Sequence, residues 1–122
     1  MKKRTGDTKK LEGAFPPPPV EGSKFLVPIT TWPEMFRETT CTGVIFDEFW
    51  YDSVEDGVAY FFRWRGEPRS TVLVVWDEES PTHIECRKSG DLPASVDESE
   101  RIIAEVTLLF RNSGLWRNHV KH

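Results

Sequence analysis

The chain has 122 residues, with 16 Lys and Arg against 20 Asp and Glu, and a net charge of −4. This length supports one domain, and the negative balance argues against nucleic-acid binding through overall charge. No apolar run reaches the ~18 residues that a membrane helix needs. The charged start is not followed by an apolar run, so we expect no secretory leader. We therefore expect a cytoplasmic protein in which both cysteines, Cys41 and Cys86, are free thiols; the alternative is a 41–86 disulfide, if the protein is exported by another route.

Residues 1–22 are typical of a disordered arm. The first 13 residues carry five basic and two acidic side chains, a local charge of +3. Four consecutive prolines, Pro16 to Pro19, follow and favour an extended polyproline II conformation. The tract is a stiff spacer or, because Phe15 and Val20 flank it, a ligand for an aromatic-lined groove. The basic residues of the arm are Lys2, Lys3, Arg4, Lys9 and Lys10.

Residues 24–57 predict a short extended segment and two helices. Pro28 keeps residues 24–29 at an edge. Thr31 and Glu34 form a capping box, which predicts a helix over about residues 32–39. Gly43 ends that helix, and apolar residues at helical spacing predict a second one over 44–54. The apolar face of this second helix is expected to hold Ile45, Phe46, Phe49, Trp50 and Val54.

Residues 58–88 predict strands. Residues 58–65 alternate in polarity, residues 70–76 are nearly all apolar or β-branched, and residues 82–88 alternate again, which gives a three-stranded antiparallel meander. Residues 95–111 then show the most regular helical stripe in the chain. The prediction is an α+β fold of order α-α-β-β-β-α over residues 23–114. The helices pack on one face of the sheet, and residues 115–122 form a tail.

The order of these elements resembles the PcfJ-like domain of proteins encoded on conjugative plasmids. The resemblance rests on a helix that ends at Cys41-Thr42-Gly43, a following aromatic segment, a hairpin loop with Pro68, and a closing amphipathic helix. It covers about residues 26–110. The loop after the third strand lacks the Gly…Asn pattern expected there. The resemblance implies a fold and a link to mobile genetic elements, and no catalytic residues.

No motif predicts a reaction, a cofactor or a metal. His83 and Cys86 are three residues apart on a strand, so they lie on opposite faces and form no Cys–His pair. A zinc site needs four ligands at typical spacing, but the sequence has no CxxC and no HxxxH pair, and His119 and His122 lie in the tail. Neither known glycine-rich phosphate loop occurs. We expect no catalytic residue, no cofactor and no metal ion.

An excess of acids in the two predicted helices indicates a protein-binding surface. Residues 31–57 hold seven acidic side chains and only one basic side chain. Such a patch can attract a basic partner, although an ordinary solvated helix face has the same composition. We predict a small non-enzymatic adaptor module in a larger assembly, in a mobile-element or defence setting. Its protein partner, whose identity stays open, would bind Asp47, Glu48, Asp52, Glu55 and Asp56.

The alternative is a nucleic-acid-binding module that uses the outer face of the sheet. Phe61, Arg63 and Arg65 alternate on one side of the first predicted strand, where an exposed ring could stack on a base and arginines could hold phosphates. The other reading of these residues is that the arginines form ion pairs and the aromatic rings are core. The alternative site comprises Phe61, Arg63, Arg65, Arg69, Arg87 and the arm residues Lys2, Lys3, Arg4, Lys9 and Lys10.

Overall fold

The computed structural model describes residues 14–77 and 80–112, so the predicted tail and residues 1–13 of the predicted arm lie outside it. Within the described residues the chain forms three helices and five strands, which confirms the α+β class. In chain order the elements are β1 (Leu26–Ile29), α1 (Trp32–Thr42), α2 (Glu48–Glu55), β2 (Ala59–Trp64), β3 (Ser70–Asp77), β4 (Ser80–Lys88), β5 (Leu92–Pro93) and α3 (Val96–Asn112).

The sheet has five strands, so the predicted count of three is wrong. The strands are antiparallel and follow the chain order β1-β2-β3-β4-β5. The predicted extended segment around Pro28 pairs with β2, since Pro28 sits in the edge strand, where its missing N–H costs little. The last strand was missed because two residues, Leu92 and Pro93, are too few to give an alternation pattern.

Helices cover both faces of the sheet, which corrects the prediction of a single covered face. On one face, Phe62 and Val74 pack with Ile102, Val106 and Phe110 of α3. On the other face, a second cluster contains Phe61 and Leu73 of the sheet with side chains of α1, of α2 and of the segment between them. Apart from Arg63, both alternating sets of β2 are therefore apolar, because each contacts a different layer.

The cap of α1 forms largely as its sequence predicts. The Thr31 hydroxyl accepts a hydrogen bond from the Glu34 N–H at 3.1 Å. The Glu34 carboxylate reaches back one residue further than expected and accepts from the Thr30 N–H at 2.9 Å. Burial by itself raises the pKa of Glu34, but these bonds from Thr30 and Thr31 outweigh it and hold that pKa below its usual value. The cap fixes where the helix begins and thus which residues face the sheet.

Residues 14–22 belong to the packed domain, so the predicted boundary at residue 23 is wrong. Phe15 is buried against Trp32 and Phe61, and its N–H donates to the Thr30 carbonyl at 2.8 Å. Val20 is buried in the cluster on the opposite face of the sheet. Residues 15–20 therefore pass around the β1 edge from one face to the other. We call these residues the proline strap.

Candidate functional site

An apolar and acidic surface lies where the chain enters α2. Val44 and Phe46 point into the core, while Ile45 between them is 62% exposed. Residues 44–47 are thus extended, with alternate side chains facing in and out. The helix begins only at Glu48, so the predicted helical face that includes Ile45 is wrong. Phe49, in the first turn, is 64% exposed instead of buried.

Aromatic contacts hold this surface in place. Trp50 stacks on His83 of β4, with ring centroids 5.6 Å apart and planes 9° from parallel. Phe49 meets Trp50 edge-on at 4.8 Å. A cavity of about 240 Å³ lies beside them, lined by Ile45, Phe46, Asp47, Trp50, Glu85 and Arg87. We call Ile45, Asp47, Glu48, Phe49 and Trp50 the α2 surface.

The five predicted acidic residues do not form one continuous patch. Asp47 and Glu48 are exposed at the start of α2, beside Phe49. Asp56 is exposed beyond the far end of the helix, whereas Asp52 and Glu55 are half-buried. Glu55 accepts a hydrogen bond from the Trp32 indole N–H at 3.0 Å. Only the two acids at the helix start border the exposed apolar side chains.

The structure does not present the alternative residues on one open face. Phe61 is 1% exposed beneath α1 and α2, so it offers no ring to a base, and the expectation of an exposed outer face is wrong. Arg87 binds Asp91 at 2.7 Å and approaches Glu85 at 3.6 Å. Arg65 is exposed and lines a separate cavity on the α3 side. The basic arm residues lie outside the described residues.

Arg63 and Arg69 meet at a buried glutamate that the sequence interpretation missed. Glu38 of α1 has a side chain only 1% exposed. Arg69 forms a two-pronged contact with it, at 2.7 and 2.9 Å, and Thr71 donates a hydrogen bond at 2.6 Å. The hydrogen bond to Glu38 raises the pKa of Arg69. One signal was available: Glu38 follows the buried Trp32 and Met35 at three-residue spacing, on the helix face toward the sheet.

The two cysteines have different surroundings. Cys41 is exposed at the end of α1 and Cys86 is buried in β4, both as free thiols. Burial raises the pKa of Cys86 to about 11. Cys86 pairs across the sheet with Val72, while His83 pairs with Val75, so the two side chains lie on opposite faces as predicted.

Within residues 14–77 and 80–112, no group of three or more His, Cys, Asp or Glu side chains is arranged to hold a metal ion. In the same part of the chain, none of the helices combines the length and apolar character that crossing a membrane requires. Comparison with protein-family models, with curated proteins and with solved structures gave no match. The resemblance to the PcfJ-like domain therefore stays a prediction.

Proposed function

We propose that the protein is a non-enzymatic adaptor that binds a protein partner through the α2 surface. The observation that carries this proposal is a pair of large apolar side chains that are each more than 60% exposed: Ile45, at the cavity, and Phe49, in contact with Trp50. Aromatic side chains around a pocket are the usual anchors of protein interfaces. Exposing both side chains to water costs free energy that a partner would recover.

The charge of the surface supports a partner segment that carries Lys or Arg between apolar residues. Asp47 and Glu48 are exposed beside Phe49, and Glu85 lines the cavity. Arg87, the basic residue of the cavity, is already bound by Asp91. A basic side chain placed there would meet acidic groups, while its apolar neighbours cover Phe49 and Ile45. The setting in a mobile-element or defence assembly is a part of the proposal that rests on the sequence resemblance alone.

A photo-crosslinker at position 49 tests the proposal in cells of the source organism. Phe49→p-benzoylphenylalanine is expected to capture one protein species. The matched position is Leu108 of α3, which is 52% exposed and is expected to capture none of that species. The double reversal Asp47→Lys and Glu48→Lys is expected to abolish capture from position 49.

A second double reversal, Asp97→Lys and Glu100→Lys, controls for net charge, because both residues are exposed acids in α3. It is expected to leave capture unchanged. Once the partner is purified, Phe49→Ala should weaken binding by about five- to thirtyfold, the usual loss at an aromatic anchor. Equal capture from positions 49 and 108, or capture that survives reversal at 47 and 48, would rule out the α2 surface as the binding site.

A further inference from the structure

A second site lies on the same side of the sheet, where three arginines surround Glu38. Arg63 Nε lies 3.5 Å from Glu38 Oε1, and Arg69 Nη2 lies 2.7 Å from the same oxygen. Arg37 is exposed on the outer side of α1 and lines the same cavity as these residues. One buried carboxylate therefore positions two guanidinium groups side by side, with a third at the rim.

The positive charge of this cluster exceeds the negative charge by two. Three arginines face one carboxylate, and Arg69 and Thr71 already occupy both oxygens of Glu38. Among the described residues, the Nη groups of Arg63 and the guanidinium of Arg37 make no hydrogen bond or ion pair. The Arg63 side chain is 31% exposed, so these donors can be reached by a ligand from solvent. This local excess of positive charge contrasts with the net charge of the whole chain, which is −4.

The cavity between these side chains has a volume of about 140 Å³ and is lined by Arg37, Glu38, Cys41, Arg63 and Arg69. That is well below the ~300 Å³ or more of a typical organic-ligand pocket, and equals the liquid volume of only a few water molecules. A single compact group fits such a space. The charged donors of this cavity that find no acceptor among the described residues are guanidinium groups, which suit an anion with several acceptor oxygens.

We propose that this cavity binds a small phosphate-type oxyanion. Arg63 and Arg37 donate hydrogen bonds to the anion, since both have N–H groups without an acceptor in residues 14–77 and 80–112. Glu38 and Arg69 are positioning residues, which hold the guanidinium array in place before the anion arrives. Arginine suits this task because its planar donors match the oxygens of a phosphate in pairs. The site is separate from the α2 surface, so either proposal can fail without the other.

Inorganic phosphate is the probe for the first experiment, titrated into the full-length protein in a chloride buffer and followed by amide NMR shifts. Saturable shifts are expected around Glu38, Cys41 and Arg63. Arg63→Gln and Arg37→Gln should each weaken binding by about tenfold or more, the usual loss for one charged hydrogen bond. Arg65→Gln, one residue beyond the end of β2, is the matched control, and it should leave binding unchanged because Arg65 lies outside the cavity.

Cys41 offers a second measurement that needs no further label. It is exposed at the rim of the cavity, whereas Cys86 is buried. The rate of Cys41 modification is measured with an anionic and with a neutral aromatic disulfide reagent. The ratio of the anionic rate to the neutral rate should be higher in the wild type than in the Arg63→Gln variant. Phosphate should slow the anionic reagent in the wild type alone. Unchanged reagent preference in Arg63→Gln would contradict the proposal.

Two further outcomes would overturn the proposal. If the shifts do not saturate, or if Arg65→Gln weakens phosphate binding as much as Arg63→Gln does, phosphate is attracted only by the general surface charge. A single-stranded oligonucleotide that binds through Arg63, and that excess phosphate fails to displace, would assign the cluster to a nucleic-acid site instead. Circular dichroism of each variant, together with its unfolding midpoint, confirms that a loss of binding is not a loss of fold.

Discussion

For the Glu38–Arg69 pair, we expect that removing the arginine lowers the unfolding free energy more than removing the glutamate does. The variants are Arg69→Met and Glu38→Met, which keep most of the side-chain length. Arg69→Met leaves a carboxylate that is 1% exposed, with only Thr71 and the longer contact to Arg63. Breaking a buried pair in this way costs about 3–5 kcal/mol.

Glu38→Met removes the carboxylate and leaves the arginines without their acidic partner. Arg69 and Arg63 are 35% and 31% exposed, so both guanidinium groups can turn toward water. The expected cost is therefore smaller, about 1.5–3 kcal/mol for the lost charged hydrogen bonds. The double variant should cost less than the sum of the single variants, because it leaves no unpaired carboxylate. A coupling of about 1–3 kcal/mol is expected for residues in direct contact.

Urea-induced unfolding, followed by tryptophan fluorescence, measures these differences. The dependence of the unfolding free energy on urea should stay constant across the four proteins, which shows that the unfolded state has not changed. The reasoning is refuted if Glu38→Met is at least as destabilising as Arg69→Met. Strict additivity in the double variant would likewise show that the two side chains do not act as a pair.

Three further predictions concern other parts of the domain. Phe110→Ala, at a side chain that is 0% exposed, should cost about 3–5 kcal/mol in urea unfolding, whereas Leu108→Ala, 52% exposed, should change stability by less than about 0.5 kcal/mol. Equal effects would contradict the assignment of α3 faces. Glu34 has a lowered folded pKa, so its stabilising contribution is present above pH 4.5 and is lost as the pH falls through the folded value. Unfolding curves of the wild type and Glu34→Gln should therefore converge in acid, and a constant gap would contradict this. Cys86, with a pKa of about 11, should react with a neutral disulfide far more slowly at pH 7.5 than an ordinary thiol, and urea should remove the difference.

The central strands were predictable because their side chains alternate or are β-branched along the chain. Phe62 and Val74 are buried as the meander requires. The edge strands were not predictable in the same way. One contains a proline and the other has two residues, so neither gives a periodic signal. Pairing at the edges depends on tertiary contacts, which local sequence does not encode.

The faces of the sheet were misassigned for a related reason. A strand with one wet face should alternate between apolar and polar residues, yet β2 carries Tyr60, Phe62 and Trp64 on one side and Ala59 and Phe61 on the other. Rings on both sides are the signal of a strand that is covered twice. That signal is present in the sequence, but Arg63 and Arg65 alternate onto the same side as Phe61 and so favour a solvent-facing surface there.

The α2 surface was predicted only in part. The acids Asp47 and Glu48 were identified, but their apolar neighbours Ile45 and Phe49 were assigned to the core. The error came from extending helical spacing back to residue 44, whereas the helix begins at Glu48. Residues 44–47 are extended, so their side chains alternate in direction instead of following helical spacing, and an error in the start of α2 changed which side chains were expected to face water. Element boundaries therefore decide which residues form a surface.

The proline strap protects the β1 edge from pairing with a strand of another molecule. An uncovered edge strand offers free N–H and C=O groups to a strand of another molecule. Here the carbonyls of Leu26 and Thr30 are already taken by the N–H groups of Ser23 and Phe15, and Gly22 fits against the strand at a φ of +96°, where a Cβ would lie 2.6 Å from the Leu26 oxygen. The prolines that lie alongside have no N–H to offer. A chain cut back to residue 23 would uncover this edge, and its concentrated solutions would be expected to form strand-to-strand aggregates.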